Sequence, residues 1–310
     1  MNRRTFIQTA ALLAAGLGRA AAAPPRPARL LDAHVHFYDP ARPAGVPWPP
    51  KSDALLYRTT LPDDFRRATA ARPADGVIVV EASDWVEDNQ WLLDLADREP
   101  LILGIVGNLR PGTPGFAGNL KRFAAHPRFR GIRSRDGALA KLLDDPGVVA
   151  DLRRLAGQGL TFDVHAPPAW SGQAARLAQL IPNLRLVVNH VAGTRVDGRA
   201  PAEDWRRTIG ELAARPNVWM KISGLVEGTG STEGDAPAEP DTYRPVLDTL
   251  WSAFGAERLI YASNWPVCGR FAPLARVQQI AVDYVADKGP AALDDVFWEN
   301  AKRAYGLGTG

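Results

Sequence analysis

The chain has 310 residues, 46% of them hydrophobic, enough apolar material for one large core rather than two small ones. Its 37 basic and 34 acidic residues give a formal net charge of +3, and residues 1–23 hold Arg3, Arg4 and Arg19 but no acidic residue. Without that segment 34 basic residues face 34 acidic ones, which removes any electrostatic argument for nucleic acid.

From the start of the chain, Arg3-Arg4-Thr5-Phe6-Ile7 sets a twin arginine before a weakly hydrophobic Ala/Leu run that ends in Ala20–Ala23. The run is too short to cross a bilayer comfortably. Residues 1–23 are therefore expected to be a twin-arginine export signal, with a periplasmic protein and no membrane contact once it is removed. The single cysteine, Cys268, excludes an intramolecular disulfide and suits export in the folded state. Residues 24–29, rich in Pro and Arg, read as a linker to one domain over 30–310.

Within that domain short apolar runs alternate with amphipathic stretches. Strands are predicted at Leu30–His36, Gly76–Glu81, Leu101–Val106, Gly131–Arg133, Leu160–His165, Arg185–His190, Val218–Ser223 and Arg258–Ser263. Helices are predicted at Asp84–Arg98, Gly115–Ala125, Gly147–Gln158, Gly172–Leu180, Ala202–Ala214 and Thr242–Phe254. Eight strand–helix units, with no Gly-rich dinucleotide loop after the first strand, predict an α/β fold, a single-domain (β/α)₈ TIM barrel. Phe37–Leu61, rich in Pro and aromatics, and Gly224–Pro240 both follow strands and are expected to overhang the barrel mouth.

Four of the five histidines end predicted strands. His34 and His36 share one face of the first by period-two alternation, and His165 and His190 close the fifth and sixth. Parallel strands would bring all four imidazoles to the C-terminal mouth, where barrels keep their chemistry, and imidazoles are metal-competent. His126 precedes a proline in a connecting loop and reads as a surface residue. Lys221 reads as a buried ion-pair member, and Cys268 has no adjacent base to make it a nucleophile.

Asp32-Ala33-His34-Val35-His36-Phe37, Gly131-Ile132-Arg133, Asn189-His190-Val191-Ala192-Gly193, Met220-Lys221-Ile222-Ser223-Gly224-Leu225 and Ser263-Asn264-Trp265-Pro266-Val267 resemble the signatures of the amidohydrolase-related (amidohydrolase 2) family, nearest its lactonase branch. The resemblance implies a hydrolase that opens a lactone of a sugar acid or carboxylated substrate with water. It implies His34, His36 and His165 as ligands for a divalent metal, Zn being the natural candidate, although some members of the branch work without metal. It also implies Arg133 as a carboxylate-orienting fork, with Trp48 and Trp265 shaping the substrate pocket.

One position departs from the pattern. Hydrolytic relatives usually carry Ser-Asp-Trp-Pro after the eighth strand, with the aspartate as base or metal ligand, and this chain has Asn264. A carboxamide cannot act as a base at neutral pH, although its oxygen still accepts hydrogen bonds. Glu81, where relatives often carry Gln, would then supply the missing carboxylate, with His190 or His165 as alternatives. Two other functions stay open: a metal-dependent decarboxylase of the same family, and a catalytically silent barrel that binds a small acid.

Overall fold

The computed structural model describes residues 26–134 and 143–308, so the expected export signal at 1–23 lies outside the described residues. Among the described residues no helix is long and apolar enough to cross a membrane. The Arg29 guanidinium lies over the Trp298 ring, 3.5 Å from its centre.

Eight parallel strands pair in sequence order: β1 (Leu31–Val35), β2 (Gly76–Val80), β3 (Ile102–Gly107), β4 (Phe129–Ser134), β5 (Thr161–Val164), β6 (Arg185–Val188), β7 (Val218–Lys221) and β8 (Leu259–Ile260). The sheet closes where the chain beyond β8 bridges back to β1. Ala33 N–H donates to the Tyr261 carbonyl at 3.2 Å, Asn264 N–H to His34 at 2.9 Å and His36 N–H to Trp265 at 2.8 Å. At Ser263 a side chain replaces the ladder, because its N–H donates to Asp32 Oδ1 at 2.9 Å. That substitution is why regular β8 stops at Ile260, short of the predicted Ser263.

Helices α1 (Pro62–Ala68), α2 (Asp88–Arg98), α3 (Phe116–Ala124), α4 (Pro146–Gly157), α5 (Pro168–Leu180), α6 (Glu203–Ala213) and α7 (Arg244–Phe254) fill the crossovers. Beyond β8 lie α8 (Leu274–Ala286), α9 (Pro290–Asp294) and, after one π-helical turn, α10 (Asn300–Tyr305). Local chemistry sets helix starts; at α4, Pro146 needs no N–H partner and Asp145 accepts a hydrogen bond from Gly147 N–H.

The strands are apolar on both faces, as a parallel sheet under helices requires. On β6, Leu186 and Val188 join the large cluster packed against the helices, whereas Val187 joins a smaller inner cluster with Ile78, Val80, Val106, Ile260 and Trp298. Each fully buried Val, Leu or Ile contributes about 1.5–3 kcal/mol. The polar exceptions on the inner face, Asp32, His34, Asp163 and Lys221, are buried as completely as these apolar side chains.

Candidate active site

At the C-terminal ends of the strands opens a cavity of about 290 Å³. His36, Trp48, Arg133, His165, His190 and Asn264 line it, as the sequence predicts, together with Ser134, Asn189 and Val267. His34, Glu81 and Trp265 are not among its walls. Trp265 is buried and packs at 6.2 Å from Phe37 and 5.4 Å from Phe65 between ring centres, so this indole belongs to the core and not to a substrate contact. Trp48, by contrast, reaches the cavity from the long loop after β1, its ring 5.8 Å from His36.

The four imidazoles do converge. Ring centres lie 4.9 Å apart for His34 and His36, 4.5 Å for His34 and His190, and 6.1 Å for His165 and His190. His36 Nδ1 donates to the Val80 carbonyl at 2.8 Å, which leaves the lone pair on Nε2. His190 sits on a left-handed turn with φ of 55° at His190, 44° at Val191 and 54° at Ala192. Left-handed backbone is costly for non-glycine residues, most of all for β-branched Val191. Burial of Val191 and a 2.9 Å hydrogen bond from Trp205 Nε1 to its carbonyl hold it there. Gly224 approaches so closely that a Cβ on it would lie 2.7 Å from His190 Cβ.

Burial, reinforced by nearby cations, pushes the His34 and His190 imidazoles well below their ordinary value. His165 at the rim is lowered for the same reasons, burial first and Arg133 second. These rings are neutral at pH 7. His190 Nδ1 pairs with Ser223 Oγ at 2.9 Å, which orients the ring across the mouth.

The expected metal set of His34, His36 and His165 is not assembled. Among the described residues no three His, Cys, Asp or Glu side chains are placed to hold a metal ion. The donor chemistry explains this. Lys221 Nζ stands 3.3 Å from His34 Nδ1 and Arg133 Nη1 3.4 Å from its Nε2, so a cationic donor faces each ring nitrogen. Among the described residues no carboxylate lines the cavity to offset a further dication. The residues as placed do not fit a metal bound through His34.

Glu81 is likewise placed differently from a free base. Arg133 Nε donates to Glu81 Oε1 at 2.8 Å and Arg133 Nη2 to the Glu81 carbonyl at 3.1 Å. Glu81 thus anchors the guanidinium from behind, and Nη1 is left on the His34 side. Lys221, fully buried, forms an ion pair with Asp163 Oδ2 at 2.7 Å. The same oxygen accepts the Tyr305 hydroxyl at 2.9 Å, so α10 plugs the barrel floor beneath the mouth. Cys268 is buried and burial pushes its thiol up, as an inert core cysteine requires.

The sequence reading missed Glu227. It lies in a short 3₁₀ turn of the irregular segment after β7, and its Oε1 accepts Asn264 Nδ2 at 2.9 Å. Its Oε2 is enclosed without a hydrogen-bond partner, and burial raises the carboxyl's pKa against the lowering effect of Asn264. Asn264 itself has a left-handed φ of 62°.

The amidohydrolase family's sequence profile matches residues 31–307. An L-fucono-1,5-lactonase of Burkholderia ambifaria is 32% identical over 287 residues, 89% of this chain and 94% of that protein. The fold is similar to a crystal structure of a Burkholderia multivorans amidohydrolase with bound zinc, with a TM-score of 0.80 and 25% identity over 91% of this chain and 100% of that one. It is also similar in fold to the 5-carboxyvanillate decarboxylase of Sphingomonas paucimobilis, with a TM-score of 0.61 at 16% identity over 90% and 99% of the two chains. With the barrel, the histidine-lined mouth and these likenesses in agreement, the chain belongs to the amidohydrolase family, as a hydrolase of its lactonase-like branch.

Proposed function

We propose that this mouth hydrolyses a neutral sugar lactone, an aldonolactone whose ring carries hydroxyls and no carboxylate. The observation that carries this reading is the Glu81–Arg133 pair. Arg133 is the one Lys or Arg lining the cavity among the described residues, and Glu81 offsets its charge. A carboxylated lactone would bring a second anion to a cation already paired. A decarboxylase would meet the same mismatch at its substrate's carboxylate. The lactonase name of the Burkholderia ambifaria relative supports the same substrate class.

In this reading the lactone carbonyl oxygen faces Arg133 Nη1, which stabilises charge as it develops there. Neutral His190 accepts a proton from water as the water oxygen bonds to the carbonyl carbon. The ring C–O bond then breaks, and the His190 proton passes to the departing ring oxygen, leaving a hydroxy acid. The Trp48 ring offers an apolar wall to the sugar's C–H face. No step needs a metal. His190→Ala should reduce turnover of a neutral aldonolactone by about 10²–10⁴-fold, the usual worth of one positioned base. A variant that hydrolyses the lactone at the wild-type rate overturns this role for His190.

A further inference from the structure

We infer that Glu227 is a positioning residue that pins the Asn264 amide with its oxygen toward the cavity, where it accepts a hydrogen bond from the attacking water. The inference rests on the hydrolase reading above and adds to it the residue that replaces a strand-8 carboxylate.

An amide has two faces of opposite character, and its surroundings decide which is presented where. A carboxylate oxygen, or the C=O oxygen of a neutral carboxyl, accepts hydrogen bonds. Glu227 Oε1, 2.9 Å from Asn264 Nδ2, therefore selects the NH₂ end of the amide. Asn264 lines the cavity and Glu227 does not. The carbonyl end Oδ1 has no hydrogen-bond partner among the described residues, yet it is not among the enclosed, unpartnered atoms, so it is open to the cavity. The backbone at Asn264 is fixed, its N–H held by the His34 carbonyl at 2.9 Å in a left-handed conformation. Only rotation about the side-chain bonds can therefore turn the amide, and the Glu227 contact opposes that rotation.

The rest of the cavity makes such an acceptor useful. Arg133 only donates and Trp48 offers a ring face, so beside the imidazoles and Asn189, Asn264 Oδ1 is the acceptor that the β8 end brings to the cavity. A water that gives one proton to His190 still has a second, and Asn264 Oδ1 takes that hydrogen bond and fixes the direction of attack. Glu227 touches neither water nor lactone; it acts through the amide.

A four-protein cycle tests this with two readouts. Glu227→Gln places a second amide against the first, which lets Asn264 turn its NH₂ to the cavity. Turnover should fall about 10–100-fold, the scale of losses from a misplaced reacting group, while KM stays near wild type. Asn264→Asp sets two carboxylates in contact and should lower both turnover and melting temperature. The double variant Asn264→Asp/Glu227→Gln restores a donor facing an acceptor with an oxygen toward the cavity. It should recover turnover and melting temperature above the Asn264→Asp level. Losses that simply add in the double variant, a Glu227→Gln effect confined to KM, or an unchanged melting temperature in Asn264→Asp overturn the inference. Thermal melting needs no substrate. A rescue in melting temperature with a wild type that opens no lactone would therefore retain the pinned amide and reject the hydrolase reading.

Discussion

Glu81 shows how one contact changes a residue's role. As a base, Glu81→Gln would abolish turnover and leave the fold untouched. As the anchor of Arg133, it should cost stability first, because the guanidinium, only 13% exposed in its side chain, loses its compensating charge. Removing one partner of a buried pair costs about 3–5 kcal/mol, and the retained amide places Glu81→Gln at or below the lower end. Denaturant titration beside steady-state kinetics separates the two roles. Lost turnover at unchanged stability would return Glu81 to the position of base. The histidines, Arg133 and Asn264 were legible in the sequence because strand ends in a parallel barrel must converge. Glu227 was not legible, since Gly224–Pro240 has no periodicity from which to infer which way a side chain points. Glu81 was legible as a carboxylate at the end of β2 within reach of an arginine, but that the arginine is Arg133, two strands away, follows only from the closed sheet.

Among the elements, the turn after β6 and the residue after Ser223 are coupled. Gly224 has φ of +79°, and any Cβ there would press on His190 Cβ at 2.7 Å and Cα at 3.0 Å. A left-handed non-glycine residue costs about 1–2 kcal/mol before any clash. Gly224→Ala is therefore expected to lower the melting temperature and to displace His190, with a loss of turnover larger than the loss of stability alone would give. A fully active, equally stable Gly224→Ala protein would show that the turn yields freely. The eight strands themselves were readable from runs of Val, Ile and Leu between polar stretches. Their ends were less so, because side chains intervene: Asp32 takes the Ser263 N–H and cuts regular β8 short. The predicted helices appear with boundaries shifted by zero to four residues, whereas the short α1 and the helices after β8 were not marked out.

For the whole molecule, the floor and the mouth of the barrel share one buried network. Tyr305 of α10 donates to Asp163, Asp163 pairs with Lys221, and Lys221 reaches His34 at 3.3 Å. Tyr305→Phe should cost about 1–3 kcal/mol by removing a donor from a buried carboxylate. Equilibrium unfolding that finds no loss would detach α10 from that network. Protonation gives a second global test. The unfolded chain takes up protons at its histidines near pH 6.5, while buried His34 and His190 resist them, so stability is lost as pH falls below that value. Asp32 runs the other way, its carboxyl pushed by burial up to about 6 from 3.8, so it regains stability as pH falls through that range. Glu227, raised by burial, acts as Asp32 does, and His165, lowered, acts as His34 and His190 do. Three imidazoles outweigh two carboxyls, and unfolding free energy should still decline from pH 6.5 toward pH 4. A free energy that is flat or rises over that interval would mean the imidazoles are not held neutral.

The most direct test of the account compares two lactones in one pH-indicator assay on the purified protein: a neutral six-membered aldonolactone and a dicarboxylated unsaturated lactone, each across its saturation range. The paired Arg133 predicts that the neutral lactone is opened with the higher kcat/KM. Preference for the dicarboxylated lactone, or no opening of the neutral one, would contradict the assignment.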